Sequence, residues 1–214
     1  MSEKCMENNK VTVIGEIVSE FTFSHEVYGE GFYMTEISVC RLSDQADVIP
    51  LMVSERLLDI RRNYIGQTVA ATGQFRSYNR HEGNRNRLLL SVFVREIEFL
   101  DGFDDYTKTN LIFLDGYICK QPVYRKTPLG REIADLLVAV NRPYGKSDYI
   151  PCIAWGRNAR YCGRRQVGDN VIITGRIQSR KYQKKLPDGT VLDKVAYEVS
   201  VSKLELINKE EIQA

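Results

Sequence analysis

Laid over itself at a shift of 101 residues, the sequence matches. Gly15, Ile17 and Gly29 fall on Gly116, Ile118 and Gly130, and Val39 and Arg41 on Val140 and Arg142. Asp47, Ile49, Pro50 and Arg56 fall on Asp148, Ile150, Pro151 and Arg157. After one inserted residue, Gly66, Val69, Thr72, Gly73 and Ser77 meet Gly168, Val171, Thr174, Gly175 and Ser179. Val92, Val94 and Glu98 then meet Val199, Val201 and Glu205. Order-preserving similarity of this length means two copies of one fold. They run over roughly 9–101 and 110–208, joined by a polar stretch, and the domains are set at 1–104 and 105–214 of the 214 residues.

Each copy repeats one pattern of elements. A strand interrupted by glycine opens it, VTVIGEIV or LIFLDGYI; such a glycine often marks a sharp bend, as at a barrel corner. Two alternating or apolar strands follow, YMTEISVCRL then DVIPLMV, or EIADLLVAVN then YIPCIAW. SERLLDIRRNYIG and GRNARYCGRRQVG read as the one helix of each copy, with Gly66 and Gly168 as C-caps. TVAATGQFRSY or NVIITGRIQSRKY is the fourth strand, and a polar hairpin leads to the last, LLLSVFVREIEFL or AYEVSVSKLELI. Asp188-Gly189 in the second hairpin is a turn signal. The expected class is all-β with one short helix per repeat: two tandem five-stranded barrels of the oligonucleotide/oligosaccharide-binding (OB) type. Other small barrels fit the bare pattern nearly as well.

Composition excludes several classes. At 43% hydrophobic and 27% charged residues, the chain can build a core. No apolar run approaches the roughly 18 residues of a membrane helix. The start, MSEKCMENNK, has no apolar segment of a secretory signal, so a cytoplasmic protein is expected. Cys5, Cys40, Cys119, Cys152 and Cys162 are too scattered for a disulfide framework or a metal knuckle, and read as small buried apolar residues. With only His25 and His81 besides, neither a metal nor a cofactor is expected.

Charge divides the copies. Residues 1–105 hold 11 Lys and Arg against 17 Asp and Glu; residues 106–214 hold 19 against 11. The basic half interleaves its cations with aromatics: Tyr144 and Tyr149 around Lys146, Trp155 ending a strand, and Tyr182 within SRKYQKK. Non-specific binding of single strands needs cations along the phosphates and rings under the bases, each stacked base contributing roughly 1–3 kcal/mol. Tyr and Trp also serve as ordinary strand residues.

The TPLG turn, LLVAVNR, YIPCIAWG, VGDNVIITGRIQSRKY and YEVSVSKLEL together resemble bacterial single-stranded DNA-binding proteins over nearly all of 110–208. The resemblance implies the barrel inferred above and single strands wrapped over several barrels. Carried over position by position, its stacking aromatics become Tyr144, Tyr149, Trp155 and Tyr182. Arg125, Lys126, Arg142, Lys146, Arg176, Arg180, Lys181, Lys184 and Lys185 are the candidate phosphate contacts. In the first copy the same positions hold Ser43, Val48, Ser54 and Arg80, so that copy reads mainly as scaffold and assembly, with a backbone contact through Arg76, Tyr78, Arg80, Arg85 and Arg87 on its hairpin and base binding as the lesser alternative. The family commonly ends in a flexible linker and acidic tip, whereas this sequence stops at NKEEIQA. A tail-less replication-restart or primosomal accessory is therefore an alternative to a general coating protein in replication, repair or recombination. Four barrels per family assembly imply a homodimer here, nucleoid-associated.

Two other classes would need different features. An interaction scaffold without nucleic-acid affinity would leave the aromatics as packing. A nuclease would want clustered carboxylates or a histidine base. Asp104–Asp105 reads as a solvated connector, HEG at 81–83 as a hairpin tip, and YGEG at 28–31 lacks the helix of a phosphate loop. No catalysis is expected.

Overall fold

Strand alternation sets which face meets the core. In EIADLLVAVN, Ala134, Leu136, Val138 and Val140 are buried while Asp135, Leu137 and Ala139 alternate with them toward the outside. The same period runs through the computed structural model, which describes residues 7–43, 45–82, 85–101, 108–186 and 189–207; the side chains of residues 79–82, 85–87 and 144 also lie outside the description. The first copy contains β1 (Asn9–Ile17), β2 (Thr22–Val27), β3 (Glu30–Cys40), β4 (Ala46–Ser54), β5 (Thr68–Glu82) and β6 (Arg85–Phe99). The second contains β7 (Asn110–Lys126), β8 (Glu132–Asn141), β9 (Ser147–Trp155), α1 (Gly156–Cys162), β10 (Asn170–Lys185) and β11 (Val191–Leu206).

Each copy closes on itself. In the second, pairing runs from β7 to β8, β9, β11, β10 and back to β7. All steps are antiparallel except β9–β11, which is parallel at Val199–Cys152 and Ser200–Ile153. The first copy follows the same circuit through β1, β3, β4, β6 and β5, with β4–β6 parallel at Leu51–Val92 and Met52–Phe93. These are the five-stranded circuits the sequence pattern called for. Closure removes the exposed edges an open sheet would present. Inward residues such as Ile37, Ile49, Phe75, Ile150, Ile173 and Ile177 fill the interior with no exposed surface.

The strand glycine at the corner has a steric reason. Tyr117 beside Gly116 pairs with Ala139 on one side and Asn170 on the other, and a Cβ on Gly116 would lie 2.6 Å from the Ala139 carbonyl oxygen. Gly116→Ala is therefore expected to lower stability by about 1–3 kcal/mol. Its denaturation midpoint checks this, and a loss below about 0.5 kcal/mol would contradict the close approach.

The structure corrects two expectations. Only the second copy has a helix among the described residues. In the first, Asp59 Oδ1 accepts the Arg61 N–H and Asn63 Oδ1 accepts the Ile65 N–H. These side chains hold successive turns, and turns of this kind compete with a helix. Nor are Gly66 and Gly168 caps: α1 ends at Cys162, and both glycines sit at φ +88° and +95° in the approach to the fourth strand, donating to the Ile17 and Ile118 carbonyls. The first copy also breaks its opening strand in two, and a Tyr28-Gly29 turn with both φ positive folds β2 back onto β3. The domain boundary, Asp104–Asp105, Asp188 and residues beyond Ile207 lie outside the described residues.

The repeat also explains how the copies join. β1 and β7 pair antiparallel, Asn9 opposite Leu114 and Val13 opposite Asn110. Asn9 brackets the backbone N–H and C=O of Phe75 at 2.9 and 2.7 Å, and Asn110 does the same for Ile177 at 2.8 and 2.7 Å. Across the junction, Asp47 accepts the Ser179 N–H at 2.8 Å, and Asp148 accepts the Ser77 N–H at 2.6 Å. Ser179 Oγ and Ser77 Oγ in turn accept the Val48 and Tyr149 N–H groups. Arg41 grips Asp47 through two nitrogens, and Arg142 grips Asp148 likewise. The matched Arg, Asp and Ser of the repeat thus build a pseudo-twofold junction.

Candidate nucleic-acid interface

The outer face of the second copy carries the candidate site. Along β9 the even positions Asp148, Ile150, Cys152 and Ala154 point inward, which turns Tyr149 and Trp155 outward. Six residues separate them on one face, about 20 Å at the usual rise per strand residue. Tyr149 is 45% exposed and Trp155 39%. Tyr182 is 38% exposed on the part of β10 that runs past the core, opposite Lys194 of β11. Tyr144 lies on a single 3-10 turn, Pro143–Gly145, and its side chain is outside the description.

Alternation also divides the hairpin cations. Arg180 and Lys184 share the Tyr182 face of the strand, with the Arg180 guanidinium 5.7 Å from the ring centre. Lys181 and Lys185 point the other way, opposite Val195 and Val191. Lys146, Lys181, Lys184 and Lys185 are exposed and have no ion pair among the described residues. Arg180 lies 3.6 Å from the mostly buried Glu198, and Arg125 lies 2.9 Å from Asp135 in a solvent-screened pair. Lys126 is exposed near Glu132, whose carboxyl is held below the usual range by hydrogen bonds from Tyr124 and Arg160.

Arg142 and Arg176 are placed differently from the phosphate role expected of them. Arg142 pairs with buried Asp148 and donates to the Ser77 carbonyl. Arg176 pairs with buried Asp47 at 3.0 Å, and burial lowers its pKa from the usual value, with the Arg41 charge adding to the effect. Both guanidiniums hold the junction. To reach a phosphate, Arg142 would have to leave buried Asp148 without a guanidinium, and Arg176 would have to give up its pair with Asp47, which Arg41 would still hold.

Sequence reasoning missed Tyr117. It sits opposite Ala139, as Tyr149 does on the other side, so the two rings flank one position on the outer face. Its place after the inward Ile112 and Leu114 was readable from period two. The cysteine reading fits Cys152 and Cys162, which are buried; burial pushes the Cys162 thiol up to about 11. Cys40 is exposed instead, and Cys5 lies outside the described residues. Among the described residues, no three His, Cys, Asp or Glu are placed to hold a metal, and no helix is long and apolar enough to cross a membrane.

Comparison with known proteins adds a family to this geometry. The profile of the Single-strand binding protein family matches residues 109–207. Single-stranded DNA-binding protein B of Bacillus subtilis is 34% identical over 84 residues, which span 72% of that protein and 35% of this chain. The chain belongs to the single-strand binding protein family. A family relative from Oceanobacillus iheyensis, a single-stranded DNA-binding protein, is 33% identical over 81 residues. The chain spans about half the length of that relative, 50%. The wild-type single-stranded DNA binding protein of Thermus aquaticus superposes with a TM-score of 0.73 over 94% of this chain and 93% of its own, at 18% identity. That likeness is one of fold, and it extends over both copies. The family match itself falls on the second copy, which carries Tyr149, Trp155 and Tyr182.

Proposed function

We propose that this chain binds single-stranded DNA without sequence preference and without catalysis, as a cytoplasmic, nucleoid-associated protein of replication, repair or recombination. The observation that carries the reading is the outward exposure of Tyr149, Trp155 and Tyr182 together, at the three described positions where the family resemblance puts stacking aromatics. A buried packing role would have left them inside. The site stacks bases on these three and on Tyr144. Phosphates are held by Arg125, Lys126, Lys146, Arg180 and Lys184, with Lys181 and Lys185 reaching from the hairpin's other face. Every base has a π-face, so sequence preference is weak, and duplex binds poorly because its bases are already stacked. Two chains supply four barrels, hence a homodimer. The domains divide as 1–104 and 105–214, the second holding this site.

The experiment is fluorescence anisotropy with a labelled oligo-dT of about 35 nucleotides, beside a duplex of equal length, at two salt concentrations. Tight, salt-sensitive binding of the single strand alone is expected. No binding, or equal binding of duplex, would put an interaction scaffold in its place. Within the same titrations, Lys184→Ala is expected to reduce the slope of log affinity against log salt by about 0.7. An unchanged slope would take Lys184 off the phosphate path.

A further inference from the structure

On the outer face of the second copy, β7, β8 and β9 lie side by side, and directly opposed residues share a face. Reading across the register gives rows. Arg125, Ile133 and Trp155 make one, and Lys120, Leu137 and Pro151 another. The row at the far end is Tyr117, Ala139 and Tyr149. Of these rows only the last has a ring on both outer strands. The methyl group of Ala139, half-buried, is all that rises between them.

The dimensions suit one flat guest. Neighbouring strands lie about 4.7–4.9 Å apart, so Tyr117 and Tyr149 rise from backbones about 10 Å apart. Stacked aromatic groups prefer centres about 4.5–7 Å apart, so a flat group held between two rings needs about 9–14 Å from ring to ring. No ring contact joins Tyr117 to Tyr149, and neither hydroxyl has a partner, among the described residues. Tyr117 is 38% exposed and Tyr149 still more.

Two features select the guest. The first is charge. Lys120 stands one row away, about 7 Å along the strand, exposed and without an ion pair among the described residues. Rings with a cation beside them suit a flat group that carries a phosphate. The second is the repeat. The matching row of the first copy is Glu16, Ser38 and Val48. Both rings are absent there together, and a carboxylate, which repels phosphate, stands in the place of Tyr117. The two rings therefore go with the basic copy, as a pair.

Resting on the proposed single-strand binding, we propose that Tyr117 and Tyr149 form a slot that holds one unpaired base between two rings over Ala139, with Lys120 on its phosphate. Tyr117 is then a fifth aromatic of the site, and Tyr149 is one wall of a slot rather than an open platform. Within a duplex both faces of a base are already covered, so the slot takes unstacked bases only.

The test is fluorescence anisotropy of the full chain with a labelled oligo-dT of about 35 nucleotides. Tyr117→Ala is expected to weaken binding about fivefold to 150-fold, the loss of one stacked base. Tyr117→Phe keeps the ring and is expected to stay within about twofold of the unaltered protein. Ala139→Leu leaves both rings in place and fills the space between them. It is expected to weaken binding about as much as Tyr117→Ala, and, lying on another strand, it reads the slot even if Tyr117→Ala folds poorly. Because one base meets both rings, Tyr117→Ala/Tyr149→Ala is expected to lose less than the product of the two single losses. Tyr117→Ala and Ala139→Leu binding as the unaltered protein does, or Tyr117 and Tyr149 losses that multiply, would overturn the slot while leaving single-strand binding in place. Failure of the unaltered protein to bind the probe would overturn both.

Discussion

Asp47→Ala is expected to lower the stability of the whole chain by about 3–5 kcal/mol, which for a protein of this size is a fall in Tm of about 6–20 °C. The reason is the company the carboxylate keeps. Asp47 has no exposed surface and accepts from Arg41, from Arg176 and from the Ser179 backbone N–H. Alanine would leave two guanidiniums facing each other with no anion between them. It would also strand a backbone N–H of the partner copy. The pseudo-twofold supplies an internal comparison. Asp148 is nearly as buried, but it holds a single guanidinium, that of Arg142, besides the Ser77 N–H. Asp148→Ala is therefore expected to destabilise less than Asp47→Ala. Chemical denaturation of the two variants measures the order. Equal losses, or losses below about 1 kcal/mol, would show that the junction is held by the β1–β7 pairing alone.

This junction also shows where sequence reading succeeds and where it stops. The repeat was visible because Asp47, Asp148, Arg41, Arg142, Ser77 and Ser179 recur in register. Their recurrence reflects a contact that each copy makes on the other, so these three of the matched pairs also hold the copies together. The strands followed from period two, whereas Tyr149, Trp155 and Tyr182 were placed by the family resemblance. What the sequence could not show was contact across the copies. Arg142 and Arg176 stand in a basic half among aromatics, and composition assigns them to phosphate. Their acceptors across the junction lie 129 residues away for Arg176 and 65 for Arg142. The missing helix of the first copy has a local cause: SERLLDIRRNYIG has helical spacing, but Asp59 and Asn63 capture backbone N–H groups first.

Removing the two best-separated platforms of the second copy, Trp155→Ala/Tyr182→Ala, is expected to weaken single-strand binding by about 2–6 kcal/mol, or roughly 30-fold to 20,000-fold. Trp155 ends β9 and Tyr182 lies on the protruding part of β10, so each acts on a different base and the two losses should add. Neither ring is buried, and Tm should move little, which separates this effect from unfolding. The salt dependence is the sharper readout. No cation is removed, so the slope of log affinity against log salt should stay as it was, and the curve should shift as a whole. Stacking supplies affinity that does not depend on counterion release, whereas the phosphate contacts supply the part that does. A loss below threefold would make the two rings surface residues without a base on them. A large loss with a reduced slope would mean that the rings act by holding Arg180 and Lys194 in place, since these cations lie beside Tyr182 on the same face. Only the combination of large loss and unchanged slope fits a strand whose bases lie on these rings.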